Sequence, residues 1–212
     1  MQISNISFLS GVDIERLKNG AITIFPTETI YGIGCSALCD ESVARIFQIK
    51  GRAPEQPPPI LIYNQQQLST LAAHISPLAF YLIDKYWPGA LTLILPSQPE
   101  LSPLLTGLST DGKTRTVGIR QTCHPIAQTL CEQIGAPFIA TSANYSGAIG
   151  QEAAPESLAD IPLSFKDQAD IIVDGGVLRG VPSTVVDCVS EPPRVLRKGA
   201  ISLSDSELQI NF

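Results

Sequence analysis

Short apolar runs, each closed by a polar or Gly- and Pro-bearing stretch, alternate along this chain with segments of helical period. Strands are predicted at 21–25, 60–62, 91–95, 116–120, 136–141, 171–173, 184–189 and 194–197. Helices are predicted at 12–19, with Val12 and Leu17 inward and Gly20 as the stop, and from the Asp40 N-cap to Lys50, closed by Gly51. Further helices are expected at 66–74, from the Ser76-Pro77 start to Tyr86, at 125–134 before Gly135, and as a short turn around 156–161. The segment RAPEQPPP, with four prolines, fits neither a helix nor a central strand. Segments 104–114 and 146–155 are small, polar and Gly-containing, and read as mobile loops or lids.

Strands and helices interleave without a repeat, linker or shift in composition. The pattern predicts one α/β domain over 10–201 with a C-terminal tail at 202–212. Its sheet should be twisted and mixed parallel and antiparallel, flanked by helices. The late strands lie close in sequence with turn-like connections, so they should pair antiparallel.

Hydrophobic residues are 44% and charged residues 16%, a globular composition. No apolar run reaches the ~18 residues of a membrane span, and the N-terminus lacks a basic region before an apolar one. A cytoplasmic protein without a membrane partner is expected. The five cysteines show no repeated CxxC pairing and read as mostly buried thiols of a reducing compartment. His74 and His124, the two histidines, lie far apart, so no resident metal site is expected. The net charge of −6 does not favour a nucleic-acid binder, and any anionic ligand must be held by a few placed cations.

The candidate chemistry sits at strand ends. In 22–34, ITIFPTETIYGIG, a strand stops at Pro26, which cannot donate to a ladder. Thr27, Glu28 and Thr29 follow, then Tyr31, Gly32 and Gly34. Similar small, hydroxyl or cationic runs are Lys50-Gly51-Arg52, VGIR to Arg120, TSAN over 141–144, PST over 182–184, and LRKG over 196–199. On one sheet edge, these would set Lys50, Arg52, Arg120 and Arg197 around hydroxyls and an amide, a cradle for a polyanion such as a nucleoside triphosphate. There is no GxxxxGK[ST] loop, no GxGxxG after a strand and no GxSxG elbow. A cationic, hydroxyl-rich site without an evident general base suits phosphoryl or nucleotidyl transfer, driven by positioning and charge stabilisation.

These motifs together resemble the YrdC/Sua5 family, the threonylcarbamoyl-AMP synthases. The matching text is PTETIYGIG, KGR, YWPGALTLIL, VGIR, ATSANYSG, PSTVVD and VLRKG, in order over about residues 13–201. The resemblance is to the short, single-domain form and implies a YrdC/RibB-like fold. It also implies a nucleotidyltransferase that makes L-threonylcarbamoyladenylate and pyrophosphate from L-threonine, bicarbonate and ATP with Mg2+. The product would pass to downstream machinery that forms t6A at tRNA position 37. By the same resemblance Thr29, Arg120, Ser142 and Ser183 face threonine. Arg52, Gln56, Thr116, Asn144 and Arg197 face the nucleotide, with Lys50 and Arg52 catalytic near the phosphates. Tyr31 either walls the pocket or packs in the core.

The chain departs from the family pattern in one segment. Gln56 stands at a Lys/Asn position, Pro58 at a Leu, and Leu61 at a His found in many members. Two other readings stay open: a paralogue with another carbamoyl or adenylyl transfer in the same cradle, and a non-catalytic protein that binds tRNA, double-stranded RNA or the ribosome. The acidic balance counts against the second.

Overall fold

The two environments of the molecule divide on β7 (Arg115–Gln121). Val117 and Ile119 are fully buried in one core, while Thr116, Gly118 and Arg120 line a cavity on the opposite face. The alternation follows from the strand period of two. β5 (Leu91–Pro96) repeats it: Leu91, Leu93 and Leu95 go to the core, and Thr92 and Ile94 to the cavity. A computed structural model of the chain describes residues 2–4, 10–53, 55–110, 112–149 and 154–208.

β5 and β7 are antiparallel and belong to a seven-stranded sheet. On one side of β5 come β11 (Thr184–Asp187), parallel to it, and β12 (Arg194–Arg197), antiparallel to β11. Beyond β7 come β4 (Ile60–Ile62), parallel to it, and β8 (Phe138–Ile139), antiparallel to β4. β6 (Gly107–Leu108) pairs with the start of β7. A second, five-stranded sheet orders β1 (Gln2–Ser4), β10 (Ile171–Val173), β2 (Thr23–Phe25), β3 (Gly32–Gly34) and β9 (Thr141–Ser142). The mixed α/β architecture with an antiparallel late hairpin is as expected, and its sheet comes in two hydrogen-bonded pieces.

Segment 136–141 is where the pieces meet. It reads as one strand in sequence but splits, with β8 in the large sheet and β9 in the small one. Between them the Ala140 N–H donates to the Pro59 carbonyl. The TSAN residues therefore lie at the junction of both sheets.

Two cores hold the layers. The larger packs Leu93, Val117 and Ile119 with Val43 and Ile46 of α2 (Asp40–Lys50) and with Leu82 and Ile83 of α4 (Pro77–Tyr86). The smaller joins Leu17 of α1 (Gly11–Lys18) and Leu130 of α5 (Pro125–Ile134) to Phe25, Leu61, Phe138 and Ile171. Each such side chain contributes about 1.5–3 kcal/mol when withdrawn from water.

Several local expectations are corrected. Val12 is 70% exposed, because α1 turns Leu17 and the capping-box residue Asp13 inward instead. Asp40 is the first helical residue and Cys39 the N-cap, without a side-chain capping bond. The 66–74 helix shrinks to a 3-10 turn at Gln65–Gln67 and α3 (Leu68–Leu71), because Ala72 turns extended and bridges to Ser97. Segment 104–114 carries β6, which pairs with β7, and a bond from the Ser109 N–H to the Thr114 carbonyl, with residue 111 outside the described residues. Of the 146–155 loop, residues 150–153 lie outside the described residues, as do 209–212 of the tail. Strands β1, β3 and β6 escaped the sequence pattern, as did α6 (Leu163–Lys166) and α7 (Asp205–Leu208).

Cys35 and Cys131 are buried, Cys39 and Cys188 partly so, and Cys123 is exposed; all five are free thiols. Burial pushes the Cys131 and Cys188 thiols up to about 12. Among the described residues no helix is long and apolar enough to cross a membrane, and no three His, Cys, Asp or Glu gather as metal ligands.

Candidate active site

The cavity has a volume of about 360 Å³. Its floor is the polar face of the large sheet: Val185 of β11, Thr92 and Ile94 of β5, and Thr116, Gly118 and Arg120 of β7. Register puts these side by side, with Val185 opposite Thr92 and Ile94 opposite Gly118. Gly118 keeps the floor low, since a Cβ there would meet Ile94 Cδ1 at 3.3 Å and Pro59 Cβ at 3.5 Å.

The 26–31 loop forms one wall. Thr27 organises it: its hydroxyl donates to the Ile30 carbonyl at 2.7 Å, accepts from the Thr29 N–H at 3.2 Å, and lies 2.8 Å from Thr29 Oγ1. Thr29 is thereby buried with its hydroxyl 3.4 Å from Arg120 Nη1. Gly180 packs on this loop so closely that a Cβ would collide with the Thr29 backbone and the Glu28 carbonyl. Tyr31 contacts the cavity, but its ring is fully buried, and its hydroxyl donates to the Gly176 carbonyl at 2.9 Å and accepts from the Gly175 N–H at 2.9 Å. Burial pushes this phenol up to about 12, so the bonds persist through the physiological range.

Arg52, just past the left-handed Gly51 that ends α2, reaches the junction of the sheets. Its Nη1 donates to Thr141 Oγ1 at 3.0 Å, its Nη2 to the Pro57 carbonyl at 3.4 Å, and its Nε to the Gln56 carbonyl. Arg197 enters from the far edge through a β-bulge. Val186 pairs with Val195, but Val185 pairs with Arg197, leaving Leu196 as the extra residue. In an unbroken ladder Arg197 would face away; the bulge turns both Leu196 and Arg197 to the cavity. Ser183 then receives Arg197 at its carbonyl and hydroxyl, both at 2.9 Å, and Thr92 Oγ1 lies 2.9 Å from the same hydroxyl.

Of the residues singled out from sequence, Thr29, Arg52, Thr116, Arg120, Ser142, Ser183 and Arg197 line this one cavity. Lys50, Asn144 and Gln56 do not. Lys50 is 3% exposed and lies behind the wall, its Nζ donating to the Ser142 carbonyl at 2.6 Å and the Asn144 carbonyl at 2.7 Å. A third bond, at 3.0 Å, goes to Asn144 Oδ1, which also accepts from Ser142 Oγ at 2.6 Å. The expectation of a phosphate-facing lysine is thus corrected to a buried cation that braces the 142–144 turn. Burial first, then the Arg52 charge, pushes Lys50 down to about 7. Gln56 is exposed and meets the site through its carbonyl, which holds Arg52.

The two other departures from the family pattern also leave the cavity wall. Pro58 is buried, while its neighbours Pro57 and Pro59 line the cavity. Leu61 is fully buried in the smaller core, beside Arg120 in the parallel ladder.

Three guanidinium groups dominate the electrostatics. Arg52 is held below its ordinary pKa by burial and then by Arg197, and Arg197 by burial and then by Arg120. This mutual repulsion is what a polyanion would relieve. Glu28 Oε1, 3.4 Å from Arg120 Nη1, is a partial counter-charge, and Glu55 is the one carboxylate among the described lining residues. Thr92 and Val185 were not among the residues singled out from sequence, while Thr141 was named within TSAN without a role. The signal for the first two was the alternation of LTLIL, where Thr92 and Ile94 face the cavity, and the position of Val185 within TVVD.

The fold and cavity define an α/β protein with a cationic, hydroxyl-lined cleft between two sheets. Residues 15–199 match the Sua5/YciO/YrdC family model, described as telomere recombination, and the chain belongs to that family. It is 38% identical over 192 residues to the threonylcarbamoyl-AMP synthase of Pyrococcus abyssi, covering 90% of this chain and 54% of that protein. A crystal structure of P. abyssi Sua5 complexed with L-threonine superposes with a TM-score of 0.79 at 38% identity, over 89% of this chain and 53% of that one. The uncharacterized protein YciO of Escherichia coli K12 is 30% identical over 186 residues, 88% of this chain and 86% of that protein. Its crystal structure superposes with a TM-score of 0.71. The chain spans about half the length of the first two synthases it matches, 54% of each.

Proposed function

We propose that the chain is an L-threonylcarbamoyladenylate synthase, a nucleotidyltransferase that consumes L-threonine, bicarbonate and ATP. One observation carries the reading: Arg52, Arg120 and Arg197 converge with Thr29, Ser142 and Ser183 on one cleft. Two anions, an amino-acid carboxylate and a triphosphate, need this number of cations to be held together. Thr29, Arg120, Ser142 and Ser183 take the amino acid. Arg52, Thr116 and Arg197 take the nucleotide, with Lys50, Asn144 and Gln56 holding the walls in place.

In the reaction, bicarbonate takes up a proton and loses water to give CO2, and the neutral threonine amine adds to the carbon, giving the carbamate and returning a proton to solvent. The carbamate oxygen then attacks the α-phosphorus as the bond to the β-phosphate oxygen breaks, and pyrophosphate leaves. The arginines stabilise the charge that builds on the phosphates, and the fixed hydroxyls align the carbamate. Magnesium brought in with ATP would meet Glu55, the carboxylate among the described lining residues, in this cleft. It would supply charge neutralisation at the phosphates. The product's destination is tRNA t6A formation in the cytoplasm.

The test is product formation: the protein with all three substrates should give threonylcarbamoyl-AMP, read by mass spectrometry. A second reading, another carbamoyl or adenylyl transfer, rests on Leu61, which stands at the family's His position but is buried in the smaller core and offers the cavity no hydrogen bond. It predicts that a different amine, not threonine, drives nucleotide turnover.

A further inference from the structure

Arg120 is 6% exposed, and its bonds are one-sided. Nη1 donates to Thr29 Oγ1 at 3.4 Å and pairs by charge with Glu28 Oε1 at 3.4 Å, an oxygen that accepts no hydrogen bond, while Nε is buried and has no partner. A guanidinium held by Nη1 alone keeps its Nε–Nη2 edge for a planar, bidentate acceptor. A buried donor left over in this way calls for a ligand.

Glu28 is itself held. Its Oε2 accepts from the Thr122 hydroxyl, and Thr122 Oγ1 accepts from the His124 N–H at 3.2 Å. Its backbone lies under Gly180, which leaves no space for a Cβ. The orientation therefore runs from the start of α5 through Thr122 and Glu28 to Nη1 of Arg120. Glu28 is absent from the cavity lining, so it acts on a ligand through Arg120.

We infer that Glu28 is the positioning residue that turns the Nε–Nη2 edge of Arg120 to the carboxylate of the amino-acid substrate. The inference rests on the amino-acid reading of the cleft. The carboxylate of Glu28 fixes Nη1 by charge and geometry together. An amide in its place keeps the Thr122 bond but loses the ion pair.

The test uses Glu28→Gln and Thr122→Val in the full chain. Calorimetry should show L-threonine binding weakened about tenfold by Glu28→Gln and about threefold by Thr122→Val, the loss of a buried ion pair that fixes Arg120. Binding of a non-hydrolysable ATP analogue should stay within about twofold. A second readout needs no ligand: the Arg120 Nε–H resonance, protected in the parent protein, should exchange faster in Glu28→Gln. Unchanged threonine affinity with an unchanged resonance overturns the inference. Equal loss of threonine and nucleotide binding also overturns it, by showing a general structural role. If the parent protein binds no threonine but the resonance responds as expected, Glu28 positions Arg120 and the substrate reading fails instead.

Discussion

Lys50 Nζ lies 2.7 Å from the Asn144 carbonyl and 3.0 Å from Asn144 Oδ1, buried behind the cleft and out of contact with it. The last turn of α2 thus grips the turn that delivers Ser142 to the site. Lys50→Met would remove the donor these oxygens share, leaving Ser142 Oγ on Asn144 Oδ1. It is expected to cost about 2–4 kcal/mol of stability and to weaken L-threonine binding at least tenfold through the displaced turn that carries Ser142. Chemical denaturation and calorimetry on the variant check both effects.

The same burial sets a pH dependence. Lys50 is pushed down to about 7 from the ordinary lysine value of 10.5. Between those values the unfolded chain binds the proton more strongly, so this group makes stability rise with pH across that window. Below about pH 7 both states are protonated and the cost of burying the charge is fully present. The expected slope between pH 7 and 10 should be absent in Lys50→Met, as read from urea melts at stepped pH.

Much of this fold was legible in the sequence, and the misses share a cause. The helices 77–86 and 125–134 lie where Ser76-Pro77 and Gly135 marked their ends, because caps act locally. The cleft's polar floor was visible as every second residue of β5 and β7 once the face was known. Lys50 was not legible: a lysine after Phe47, Ile49 and their neighbours reads as a helix-end cation, and only the fold brings Ser142 and Asn144 to it. Arg197 was legible as a residue, but its direction depends on the bulge at Leu196, which pairing with β11 decides. Strands as short as β6 and β9 carry too few residues for a periodic signal.

Arg197 meets Ser183 at two oxygens and crosses a bulge to do so. Arg197→Ala should weaken ATP-analogue binding about tenfold to a hundredfold while leaving threonine affinity within about threefold. Arg197→Lys should recover only part of the loss, because a single ammonium cannot reproduce the planar fork. Calorimetry with each ligand separates the two.

Gly180 lies against the backbone of Glu28 and Thr29 with no room for a Cβ. Gly180→Ala should push the 26–31 loop outward at about 1–3 kcal/mol of stability. The apparent KM for threonine should rise more than that for ATP, since Thr29 moves and Arg52 does not. Thermal melts and initial rates at varied substrate check this.

The central claim is that one cleft joins three substrates, and pyrophosphate release with each substrate omitted in turn tests it most directly. The expected result is release that requires L-threonine, bicarbonate and ATP together, and that Arg52→Ala lowers at least a hundredfold. Release independent of threonine, or none where an authentic synthase is active under the same conditions, would contradict it.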